Sequence, residues 1–241
     1  MKSLLVSKLK SILLWLGAVI WRDDSPKCVF YHDVGIKYTT MGTRSELFWS
    51  HMDLLRVGDI VCFDDGFRGI WDAREEFTRR NIRPIVFIAI RLVGMKGYLS
   101  WTEIRELQDD YGFTFQSHTW SHQTLAGPFS SKAPIEERSD DWFHRELEGS
   151  RKELSGRLGR EVNELCFPIG YFSNDVLVRS LKAGYSKVYV SYPGAAKYMP
   201  GSFVQTRCLC QTISCADFKN VLNGGMNILA NHYRRHHFYG E

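Results

Sequence analysis

A chain of 241 residues with 44% hydrophobic residues carries enough apolar surface for one α/β domain, or for two small ones at most. Its 31 basic and 27 acidic residues leave a formal charge of +4, too mild and too dispersed to make nucleic acid the main partner. Three of the six cysteines, Cys28, Cys62 and Cys166, sit inside apolar strand-like runs, where a small buried thiol is the usual state, and this favours a reducing, cytoplasmic setting. At the N-terminus, Lys2, Lys8 and Lys10 precede an uncharged stretch from Ser11 to Trp21. That stretch falls short of the roughly 20 residues a spanning helix needs, and no small-x-small cleavage pattern appears before Arg22-Asp23-Asp24. Leu5, Leu9, Ile12, Leu16 and Ile20 share one helical face, so residues 1–25 read as an N-terminal amphipathic helix. It is expected to pack on the domain or to lie on an anionic membrane through residues 1–21, with an uncleaved export signal as the alternative.

Residues 26–241 read as one domain without linker, repeat or low-complexity segment. Seven strand-like runs follow one another at 27–31, 59–63, 84–90, 113–117, 163–167, 186–191 and 203–207. Helical spacing marks Trp71–Arg80, Trp101–Asp109, Pro134–Leu158, Val176–Lys182 and Cys215–Leu222 between or after them. Alternating strands and helices imply a parallel sheet, and seven strands imply a closed or nearly closed β/α barrel.

Two runs end in chemistry. The apolar strand Asp59–Phe63 stops at Asp64-Asp65-Gly66, and Phe113–Ser117 stops at His118-Thr119-Trp120-Ser121-His122, which places both at the edge where parallel α/β folds keep their sites. A His pair at i, i+4 on a helical turn would project both imidazoles from one face. A carboxylate would complete three ligands and leave a position open for water. Composition alone yields roughly 0.26 such His pairs, and a second one, His232 and His236, stands in the tail, so the placement after a strand carries the reading. Cys208, Cys210 and Cys215 lack a fourth ligand at zinc-cluster spacing and read as structural thiols.

These blocks resemble, in order and over roughly residues 26–215, the polysaccharide deacetylase family, the NodB-like carbohydrate esterases. Val61-Cys62-Phe63-Asp64-Asp65-Gly66 is similar to the family's TFDDG motif, and His118 to His122 matches its HTxxH motif. Leu99 to Ile104 before Gly112, and Glu146 to Gly159 before Phe167-Pro168-Ile169-Gly170, are similar as well. The resemblance implies a distorted (β/α)7 barrel in which Asp65, His118 and His122 hold a divalent metal, commonly zinc. It implies that Asp64 is the general base, and that a backbone N–H of the Pro168-Ile169 turn helps the metal to stabilise an oxyanion. The expected reaction is removal of N-acetyl groups from an acetamido sugar of a glycan or glycolipid precursor.

The chain departs from the family pattern in three places. No late Leu-x-His motif supplies the general acid; His32, in a Tyr31-His32-Asp33-Val34 run resembling that of the branch acting on poly-N-acetylglucosamine, is the preferred candidate. His232, with His236 and His237, is its rival in a polar tail. The Arg that pairs with the base in the third motif is absent, so the Asp64 pKa would rise on burial unless the metal or another cation such as Arg207 compensates. Ile169 replaces an aromatic residue of the same motif. The competing function is a catalytically silent carbohydrate-binding or assembly module on the same barrel.

Overall fold

A computed structural model describes residues 2–129, 138–193 and 203–240, apart from the side chains of residues 2–5 and 7. Leu5 and residues 134–137 of the expected long helix therefore lie outside what is described. Eight parallel strands form one sheet: β1 (Cys28–Tyr31), β2 (Ile60–Phe63), β3 (Ile85–Ile88), β4 (Thr114–Ser117), β5 (Glu164–Cys166), β6 (Lys187–Val190), β7 (Val204–Thr206) and β8 (Cys208–Leu209). Their order is β7-β6-β5-β4-β3-β2-β1-β8. Arg207 alone separates β7, paired to β6, from β8, paired to β1, so the segment 204–209 bridges both edges and closes the ring. The expected seventh strand is β7; β8 lies beyond its expected bounds, and the switch of partner at Arg207 distorts the barrel.

Period-two alternation sorts the strand residues into two cores. Inside the barrel stand Cys28, Phe30, Cys62, Phe87, Cys166 and Tyr189, a small lining of thiols and rings. Outward, Val29, Tyr31, Val61, Phe63, Val86, Ile88 and Phe115 meet the helical shell, so both faces of the sheet are buried as a parallel sheet requires. The shell comprises α1 (Lys2–Ile20), α2 (Ser45–Met52), α3 (Gly69–Asp72), α4 (Arg74–Arg79), α5 (Trp101–Asp109), α6 (Asp140–His144), α7 (Ser150–Leu158), α8 (Asn174–Lys182), α9 (Cys215–Leu222) and α10 (Ala230–His237). Ser100 and Glu103 form a capping box that starts α5, and Ser173 and Ser214 cap α8 and α9 through their side chains.

Three local expectations are corrected. The helix expected over 134–158 begins at Asp140, because the Ser139 side chain accepts from Trp142 N and fixes the start there. A π-helical turn, Arg145–Gly149, interrupts it before α7. The helix expected over 71–80 is two pieces, broken at Ala73. Helix α2 arises where none was expected, since one residue of its buried stripe is a histidine: Phe48, His51 and Met52 face inward. His51 is satisfied there by Tyr31 Oη at 3.0 Å and the Ile213 carbonyl at 3.1 Å, and it stacks on Phe218.

Candidate metal and catalytic site

The carboxyl ends of β1, β2, β4 and β5 deliver the candidate residues to one rim. Asp64 and Asp65 leave β2 in a turn. Asp65 takes φ 70°, a left-handed conformation, and Gly66 follows at φ 77°. Asp residues tolerate that region better than most. The turn aims Asp64 back over the barrel interior and Asp65 at the loop after β4.

That loop, 118–122, is not the helical turn expected of an i, i+4 pair: it is irregular, with Thr119 at φ 69° and His122 at φ 62°. Hydrogen bonds from the loop hold it. Trp120 N and Ser121 N donate to Glu146 Oε2 at 3.1 and 2.8 Å, His122 N donates to Thr119 Oγ1, and Arg91 N donates to the Trp120 carbonyl. Glu146, fully buried in the π-helical turn, positions the loop, a part that the sequence did not reveal. Its only sequence signal is an acid on the inward face of a helix, and π-turns are common where a side chain must be re-aimed.

The result brings His118 Nε2 and His122 Nε2 to 3.4 and 2.9 Å from Asp65 Oδ1. The ligand atoms of Asp65, His118 and His122 converge within the reach of one cation. Three features fit a metal. His118 Nδ1 lies 2.8 Å from the Cys166 carbonyl, which fixes its proton there and frees Nε2. Asp65 Oδ1 is buried yet receives no hydrogen bond of good geometry. Burial pushes the Asp65 carboxyl up, but His122 and His118 carry it well below the usual range, so it is an anion, as a ligand must be. A second convergent group, Asp64, His118 and Cys166, is unsuited to a cation because a guanidinium already fills it, and burial holds the Cys166 thiol protonated.

That guanidinium is Arg207. Its Nη1 and Nη2 donate to Asp64 Oδ1 and Oδ2 at 2.7 and 2.8 Å, a bidentate pair with both side chains buried. The guanidinium lies over the rings of Phe30 and Phe87 on top of the barrel lining. The third-motif Arg is missing, and the kink between β7 and β8 supplies a cation in its place. Burial alone would raise the Asp64 pKa; Arg207, with His118 and His32, lowers it instead.

His32 follows β1, half-buried, and its Nδ1 stands 2.7 Å from Gln211 Oε1 rather than on Asp33 or the backbone. His232 is exposed on α10 beside His236. Arg234, Arg235 and His236 are exposed as well, while the end of the tail is pinned: Phe172 N donates to the His237 carbonyl, Tyr239 N to the Phe172 carbonyl, and Tyr171 packs on the His237 and Tyr239 rings. It thereby braces the turn Pro168–Gly170, in which Ile169 sits at φ 60°, ψ −3° and is 47% exposed. A β-branched residue held left-handed stores about 1–3 kcal/mol, and here that strain falls on the turn to which the family resemblance assigns the oxyanion. Cys208, Cys210 and Cys215 belong to neither convergent group among the described residues.

Asp33, buried next to His32, ties the β1 loop to α3. Its Oδ1 accepts from Val34 N at 2.9 Å, the backbone amides of Gly69 and Ile70 help to hold its pKa down, and a Cβ at position 69 would stand 2.3 Å from that oxygen. Burial pushes the Asp33 carboxyl up to about 7 against those amides. Its unfolded value is ordinary, near 3.8, so between the two the folded chain holds a proton that the unfolded chain has lost. Stability is therefore expected to fall as pH rises through that window, by up to about 4 kcal/mol. In denaturant titrations across the window, Asp33→Asn should flatten the fall; an equal slope in both proteins would assign it elsewhere.

Comparison with known proteins agrees with this fold. Residues 60–188 match the family model described as polysaccharide deacetylase. YxkH of Bacillus subtilis (strain 168), named as a polysaccharide deacetylase, is 24% identical over 149 residues, 61% of this chain; the chain spans about half the length of that relative. Among solved structures, IcaB from Ammonifex degensii superposes with a TM-score of 0.68 at 18% identity, covering 85% of this chain and 98% of that one. A polysaccharide deacetylase from Bacillus cereus gives 0.66 at 19% (81% and 68% covered), and the Streptococcus pyogenes deacetylase PplD, solved with acetate, gives 0.65 at 16% (83% and 97%). At these identities the structures speak for the fold alone, while the family model covers more than half of the chain: the protein belongs to the polysaccharide deacetylase family.

Proposed function

We propose that the protein is a metal-dependent hydrolase that removes N-acetyl groups from an acetamido sugar of a glycan or glycolipid precursor. The observation that carries this reading is the convergence, on one rim, of an anionic Asp65 with two imidazoles beside a second carboxylate held by Arg207. Asp65, His118 and His122 would hold a divalent cation, zinc foremost. Such an ion supplies Lewis acidity, lowering the pKa of a water from about 15.7 toward about 7 and polarising a carbonyl oxygen.

The chain's own residues account for the rest. Asp64, kept ionised by Arg207, can accept a proton and cannot donate one at the outset, so it serves as the base that deprotonates the attacking water. The oxyanion falls to the N–H of Ile169 in the strained turn after Pro168. Protonation of the departing amine falls to His32: with Gln211 accepting at Nδ1, the exchangeable proton is the one at Nε2. Beside the site lies an open depression of about 670 Å³, lined by Lys37, Tyr38, Arg68, Met95 and Tyr98 among others. It is linked to the Asp-Asp-Gly turn through Leu99 N to the Gly66 carbonyl, and Tyr98 stacks on Phe67. Neighbouring sugars would stack there. Six free thiols, four of them buried, support a cytoplasmic site of action.

His32→Ala is expected to lower kcat by roughly 10²-fold with metal content unchanged. Unaltered turnover would transfer the acid's role to the tail histidines. The function itself is tested by acetate release from N-acetylhexosamine oligomers and glycolipids, with metal-loaded and chelated protein side by side. Release that requires the metal supports the proposal; sugar binding by loaded protein without release would instead mark a silent binding module.

A further inference from the structure

Helix α1 packs on α9 and the turn at residues 225–229 with the face opposite to the one its apolar pattern suggests. Leu14 is fully buried, Ala18 nearly so, and Gly17 meets the backbone of Gly225 so closely that a Cβ would stand 2.3 Å from the Gly225 carbonyl oxygen. Gly225 in turn leaves 2.4 Å between such a Cβ and the Leu14 carbonyl oxygen, and Ser11 Oγ donates to Asp217 Oδ2 at 2.8 Å. This close seat on small residues fixes the rotation of the helix about its axis.

The outward face is then apolar. Leu9, Ile12, Val19 and Ile20 are 53–62% exposed, with Val6 and Trp15 on its flanks and Trp21 at its end. A surface helix ordinarily shows its polar side to water; this one hides a small-residue seam and presents its large side chains. Lys8 is exposed beside Ile12, whereas Lys10, one turn before Leu14, is exposed on the seated side, and α1 contains no acidic residue. No helix among the described residues is long and apolar enough to cross a membrane.

We propose that α1 is a membrane-surface anchor, lying in the headgroup plane of an anionic bilayer with Leu9, Ile12, Val19 and Ile20 in the acyl boundary. Charge decides between occupants. A second copy of α1 laid on this face would bring the Lys8 of each copy to a dry seam to which the helix offers no carboxylate, whereas lipid phosphates supply the counter-charge. Trp15 and Trp21 suit the same depth, since indoles favour the boundary between headgroups and acyl chains.

The test is co-sedimentation of the full chain with vesicles of phosphatidylcholine alone and of phosphatidylcholine with phosphatidylglycerol. The wild type should bind the anionic vesicles, and Leu9→Ser/Ile12→Ser/Ile20→Ser should bind them at least about tenfold more weakly. Lys8→Gln should lose roughly fivefold, on the anionic vesicles only. Ile12→Ser alone, a milder change, guards against a triple variant that fails to fold, with thermal melts as the check, and should itself weaken binding. Equal vesicle binding by wild type and a folded variant would overturn the proposal. So would a lipid-free dimer, seen in sedimentation velocity, that the triple variant converts to monomer.

Discussion

Replacing Arg207 with methionine is expected to destabilise the protein by about 3–5 kcal/mol and to abolish turnover, because it leaves the Asp64 carboxylate buried without a partner. Both Asp64 oxygens receive a guanidinium N–H, and no other cationic side chain reaches them with a hydrogen bond among the described residues. Desolvation would then push the Asp64 pKa upward, and a protonated Asp64 cannot act as the proposed base. The loss should show in urea midpoints and in acetate release together. Arg207→Lys should recover only part of either, since an ammonium is a point charge that cannot fork onto both oxygens. In the double variant Asp64→Asn/Arg207→Met the buried charge is gone, and part of the stability should return while activity does not. An Arg207→Met protein with wild-type stability would mean that the pair contributes little.

The same residue shows where sequence reading reaches its limit. The strands were legible because each is a short apolar run stopped by polar or turn residues, and the ligands were legible because Asp65, His118 and His122 lie in two local motifs. Arg207 stands 143 positions from Asp64 and meets it only because the strand carrying it changes partner from β6 to β1 at that point. A hydrophobic pattern contains no signal for such a switch, although the missing third-motif Arg did raise the question of which cation replaces it. Glu146 was hidden for a related reason: its role depends on a π-turn that aims it at two amides of a distant loop. The His pair was placed on a helix because i, i+4 spacing is helical by default. Left-handed Thr119 and His122 reach the same convergence by another route, one that needs the Glu146 anchor to hold it. On α1 the pattern found the apolar stripe, while the seam of Leu14, Gly17 and Ala18 decided which side packs inward.

Asp64→Asn and His118→Ala are expected to separate the two halves of the proposed site. Asn is nearly isosteric with Asp and can still accept from Arg207, so the loop geometry should persist, at some cost in stability from a guanidinium that has lost its counter-charge. It cannot take a proton from water, and kcat should fall by roughly 10²–10⁴-fold or more. Metal content, measured by elemental analysis after gel filtration, should remain that of the wild type, because Asp65, His118 and His122 are intact. His118→Ala removes an Nε2 that the Cys166 carbonyl holds in place, and it leaves Asp65 and His122 as a pair. Both metal content and turnover should drop. The contrast is informative in either direction: Asp64→Asn protein with normal turnover would remove Asp64 from the base role. Loss of metal from that variant would instead place Asp64 among the ligands, in the cluster with His118 and Cys166 that Arg207 now fills.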